Sequence, residues 1–316
     1  MNTLYKVRNN IRNYFFSETF NMFPLVTLRI GLSLLLLTQL IQIKSDIFSF
    51  IGKYGLIRQD IVSIRVSHFV LSSADIVNYI CSHVHWTELQ ALNFLGGIYI
   101  CSLISLSMGL FTRFSAFLAW ILHLSFVSSA HFFTYGVDYF LTMLLFYTVI
   151  FPVGKAYSID NLIFKRKEIN ATPYVRVLQI HMCIVYFISG IAKAIGTNWW
   201  NGMSIWKSIN RPIITNFDIH YLANFDWVYT LAGIFTIVVE VLYCVFMNFD
   251  KTRKIWLLLT CALHLSIAFI LVLPNFAAVM ILFNVAAYYY PKRKSTRAEF
   301  DILTPGTENK LTYRSL

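Results

Sequence analysis

Lys193 stands near the end of a long apolar stretch, QIHMCIVYFISGIAKAIGTNWW, running from Gln179 to Trp200. As an α-helix this stretch places Gln179, Tyr186, Gly190 and Lys193 on one face. Three of these residues are polar, and the glycine lets a second backbone come close. Two chemistries are open to the lysine. It can snorkel, with its stem in an apolar layer and its ammonium in water. Alternatively it stands at the mouth of an intramembrane pocket, where burial favours the neutral amine and the side chain can act as a base.

Other ionisable residues interrupt the apolar runs. Arg29 and Glu240 each lie six or seven residues in from what the charge pattern makes the cytoplasmic side, so at 1.5 Å per residue both sit about 10 Å deep. Equal depth and opposite charge predict a structural ion pair between them. His264 and His123 fall near the middle of their runs, where a histidine is either a hydrogen-bonded core residue or a proton shuttle. Towards the other side, His131, Tyr135 and Asp138 occupy one turn, and Lys193, Asn198, Trp199 and Trp200 another. The tryptophans alone fit an aromatic interface belt. With a lysine, a carboxylate and a histidine at the same depth, the group is also a candidate site. It would hold and deprotonate an apolar ligand entering from lipid, with Tyr186 and Trp199 against the ligand.

The elements that must position these groups follow from composition. Of the 316 residues, 57% are hydrophobic and 13% charged, against roughly 25% charged in a typical soluble protein. The apolar runs are long and uninterrupted, unlike the short alternating segments of a transmembrane barrel. The fold class expected is an all-α polytopic transmembrane bundle of about eight spans. They are Phe23–Ile43, Leu89–Gly109, Phe114–Ala130, Tyr139–Phe151, Tyr174–Ala194, Trp227–Met247, Ile255–Leu273 and Phe276–Tyr290. The segment from Ile61 to Cys81, with Arg65, His68 and Asp75, is expected at the interface. Residues 1–22 and 292–316 are polar tails flanking a membrane domain over 23–291. Most of the 26 Lys and Arg fall on the side of the two termini, so the positive-inside rule puts both termini in the cytoplasm. The net charge of +11 then records topology and membrane lipid rather than nucleic-acid binding. The five cysteines form no C-x-x-C pair, so neither a disulfide framework nor a metal site is expected.

The stretch VYFISGIAKAIGTNWWNG, preceded by Arg176 and Gln179, resembles the transmembrane domain shared by vitamin K-dependent gamma-glutamyl carboxylases and many bacterial proteins, the HTTM family. LRIG around Arg29, the GLFTR turn at Gly109 to Arg113, Glu240 and His264 are supporting marks, and the similarity runs from Phe23 to Pro291. The resemblance implies that Lys193 is the base that deprotonates a reduced, vitamin K hydroquinone-like quinone, with His264 as a second catalytic group, in carboxylase/epoxidase-like chemistry. Where the carboxylases carry an Asn-His pair this chain has Gly136 and Val137, and no counterpart of their large lumenal domain is expected. The resemblance therefore also implies an alternative: a non-catalytic accessory protein, similar to the SdpB-like relatives, that assists maturation or export of a secreted peptide.

Overall fold

The protein is described by a computed structural model covering residues 2–17, 20–66, 71–165, 167, 169–210 and 225–290. The expected polar tail from 292 onward, and part of the loop after the lysine stretch (211–224), lie outside the described residues. Among the described residues the chain forms helices and no strand. In chain order these are α1 (Asn2–Phe16), α2 (Phe23–Ile43), α3 (Ile47–Ile51), α4 (Gln59–Arg65), α5 (Ser73–Val84), α6 (Glu88–Met108), α7 (Thr112–Ser129) and α8 (Gly136–Ile150). They continue with α9 (Ile159–Phe164), α10 (Thr172–Ile195), α11 (Thr197–Trp200), α12 (Met203–Ile209), α13 (Asp226–Val241), α14 (Tyr243–Phe246), α15 (Arg253–Ile270) and α16 (Pro274–Asn284).

A helix stands at each of the eight expected spans. By length and composition α2, α6, α10 and α15 can cross a membrane, and Gly136–Ile150 and Pro274–Tyr289 are shorter apolar helices. The chain is an all-α integral membrane bundle. Local signals set the boundaries. Pro24 and Pro173 sit in the first turns of α2 and α10, where a backbone N–H has no helical partner anyway. Thr87 and Gln90 form a capping box that starts α6, and Ser72 and Asp75 do the same for α5. The segment from Ile61 to Cys81 is not one helix: α4 ends at Arg65, and α5 packs on α6 and α7.

α2 is the central post. It packs on α6, α8 and α16, with Leu25, Leu28, Leu32 and Leu36 almost wholly buried. α10 packs on α13, and α16 runs on into a π-helical turn, Val285–Tyr289. Such turns widen the helix by one residue. Here the turn's Ala287 carbonyl accepts a hydrogen bond from Gln179 Nε2 at 2.7 Å.

The structure overturns the expected ion pair between Arg29 and Glu240. Arg29 is fully buried. Its guanidinium donates to the carbonyls of Val153 (2.9 Å), Ala156 (3.4 Å) and Tyr157 (2.5 Å). These carbonyls belong to the chain leaving α8, and Asp160 of α9 in turn accepts from the backbone N–H groups of Phe111 and Thr112, both at 2.8 Å. The LRIG and GLFTR marks thus meet in one polar staple at the face where α2 begins. The depth reasoning failed because the spans are staggered. Asn248, after α14, donates to Cys183 Sγ at 3.5 Å. Cys183 already lies roughly 16 Å along α10 from Thr172. Phe20 bonds Thr172, so the starts of α2 and α10 are level, and Glu240 sits roughly 17 Å deeper than Arg29.

Candidate functional site

Glu240 pairs instead with Lys193. The Nζ to Oε2 distance is 2.6 Å, and the two side chains are 19% and 9% exposed. Nζ also donates to Ser189 Oγ at 2.5 Å, one helical turn earlier, and stands 5.3 Å from the centre of the Trp199 ring. Each neighbour has a local cause. Ser189 shares the lysine's face at an i, i+4 spacing. Trp199 returns to it because the chain bends at Gly196 into α11, and Trp200 Nε1 bonds the Ala194 carbonyl at 2.7 Å. Glu240 reaches it because α10 and α13 touch at Gly190. A Cβ there would lie 2.8 Å from Val241 N and 3.0 Å from Glu240 Cβ, so only glycine permits this approach.

Two turns from Lys193 on the same face of α10 is Tyr186. Its hydroxyl bonds His264 Nε2 at 2.6 Å and receives Asn284 Nδ2 at 2.8 Å. Asn284 Oδ1 accepts the Tyr243 hydroxyl at 2.7 Å, and the Tyr186 and Tyr243 rings stack 4.0 Å apart. One assignment puts every hydroxyl and amide proton of the network to use. Asn284 donates to Tyr186, so the Tyr186 proton goes to His264 Nε2. A neutral His264 then carries its own proton on Nδ1, and that buried atom has no hydrogen-bond partner.

The expected convergence of the two outer turns divides into two places. Asp138 does not face Lys193. Its carboxylate accepts Gln39 Nε2 at 3.1 Å and the Tyr135 N–H at 3.0 Å. It lines a cavity of about 230 Å³ between α2, α7 and α8, together with Tyr135, Tyr99 and His123. Burial, and secondarily the Asp138 charge, push the Tyr135 phenol above its ordinary range. His131 does not line this cavity; its ring meets Phe132 edge-on at 5.6 Å. Phe276 packs against the His264 ring (centroids 5.9 Å apart) and against Gly136 at the start of α8, where a Cβ would lie 3.5 Å from its ring.

Sequence reasoning missed Ser189, Tyr243, Asn284 and Gln39. An intramembrane asparagine at 284 and a serine one turn before Lys193 were the available signals. Among the described residues no group of three His, Cys, Asp or Glu is placed to hold a metal ion, and the five cysteines are free.

Fold and site define a helical membrane protein with a partly buried lysine–carboxylate pair above a tyrosine–histidine–asparagine network. The family model described as the HTTM domain matches residues 51–292, and the chain belongs to the HTTM family. No curated protein and no solved structure gives a significant match.

Proposed function

We propose that this protein performs acid–base chemistry on an oxygen of a lipid-soluble, quinol-type substrate, with Lys193 as base. The observation that carries the reading is the 2.6 Å Lys193–Glu240 pair, with the unpartnered Nδ1 of His264 further along the same face of the bundle. The donor set suits a reduced quinone, because a hydroxyl next to an amine and an imidazole N–H can both lose a proton and be held as an anion. A bound quinol would supply an acidic O–H and an apolar body. Transfer of the shared proton from Lys193 to Glu240 leaves an amine beside a carboxylic acid with no net charge, the form a low-dielectric site favours. The amine can then accept a proton from an oxygen placed against it. The ammonium so formed, with His264 Nδ1–H, faces the negative charge left behind. Tyr186 and Asn284 hold the imidazole in orientation, and Trp199 covers the ammonium.

The test is turnover of vitamin K hydroquinone by the protein in nanodiscs, with dioxygen supplied as the two-electron oxidant, read by chromatography as oxidised product formed above a protein-free blank. Wild type is expected to consume it, and Lys193→Ala to be inactive while still folded and inserted. Lys193→Arg is expected to be inactive as well, because a guanidinium stays protonated at any working pH. A fully active Lys193→Arg returns the lysine to a snorkelling role and overturns the proposal.

A further inference from the structure

The cavity beside Asp138 lies apart from the lysine site. It measures about 230 Å³, smaller than a pocket for a drug-sized ligand, which runs to about 300–1,000 Å³. Its lining is mostly apolar, with a few polar side chains among it. His123 lines it, is 4% exposed, and bonds Tyr99 through Nδ1 at 2.9 Å, while its Nε2 has no partner. Asp138 is 7% exposed. Its two contacts are neutral donors, and among the described residues no lysine or arginine forms a salt bridge with it. A carboxylate withdrawn from water in this way lacks the countercharge that such groups ordinarily find. The start of α8 supplies part of the compensation through the helix dipole.

The walls say what could supply the rest. Phe50 and Phe133 lie 4.9 Å apart, and Tyr99 and Phe126 5.6 Å apart, and all four border the cavity with Tyr135. On the α2 side Leu36, Leu40 and Ile43 border it, with Gln39 turned to Asp138. Aromatic faces around a carboxylate favour a positive charge that is only weakly hydrated. Aliphatic walls favour a hydrocarbon body attached to it.

We propose that this cavity binds a small ammonium group carried on an apolar body, with Asp138 as its counter-ion. The ammonium belongs either to a free aralkyl amine or to a lipid headgroup. The probe for the first is phenethylamine, compared with its neutral analogue 2-phenylethanol, binding being measured by calorimetry on the full chain in dodecyl maltoside. The amine is expected to bind at least tenfold tighter than the alcohol. Asp138→Asn, whose side-chain oxygen can still cap α8, is expected to abolish that preference. For the second source the titration is repeated in phosphatidylethanolamine and in phosphatidylglycerol nanodiscs. Weaker amine binding in phosphatidylethanolamine assigns the site to the headgroup; equal binding assigns it to the free amine. Amine and alcohol binding alike in wild type, a preference retained in Asp138→Asn, or no amine binding at millimolar concentration would each overturn the proposal. The wild-type comparison holds even if the variant does not fold.

Discussion

Lys193 and Glu240 are each other's countercharge, so removing one strands the other. An exposed pair is worth up to about 1 kcal/mol and breaking a fully buried one costs about 3–5 kcal/mol. At 19% and 9% exposure this pair belongs nearer the second figure. Glu240→Gln is expected to lower the thermal unfolding midpoint measurably, and Lys193→Gln combined with Glu240→Gln to cost less than the two singles added together. Strict additivity would show that the pair contributes no coupling. At this scale the sequence named both residues but matched them wrongly. Charge and count along the chain pair Arg29 with Glu240. In the fold Arg29 satisfies three backbone carbonyls instead, a role that leaves no mark in sequence because carbonyls belong to every residue.

The error was one of elements. Helix positions were legible within a few residues, because apolar runs, prolines and capping residues mark their own ends. Stagger was not, because it depends on where one helix touches another. For α10 and α13 that point is Gly190. The polar face of α10 was visible as spacing, and the glycine within it as a site of close approach, but not which backbone would approach. Gly190→Ala would set a methyl 2.8 Å from the Val241 N, which a backbone atom cannot yield cheaply. It is expected to destabilise by about 1–3 kcal/mol, and to weaken the Lys193–Glu240 coupling in the same double-mutant cycle. An unchanged melting point and coupling would mean that the helices are not held at this contact. The cluster expected around Lys193, His131 and Asp138 divided for a related reason. Asp138 and Gly136 sit on different sides of α8, and only the Gly136 side faces Phe276 and α16.

For the molecule as a whole, the orientation expected from charge can be checked directly. With the native cysteines replaced, Trp206→Cys on α12 should react with an impermeant thiol reagent added outside intact cells. Leu162→Cys on α9 should react only after the membrane is permeabilised. The reverse pattern would invert the bundle. The whole molecule also differs in extent from its recognisable part. The match to the HTTM domain begins at residue 51, after α2 has ended. Yet α2 is the post against which α6, α8 and α16 pack. It carries the guanidinium that fastens the chain leaving α8 and the amide that steadies Asp138. The edge of the matched segment is therefore not a boundary of folding. A fragment cut to the matched residues would keep every group of the lysine site, yet lose the helix that holds the rest of the bundle in register.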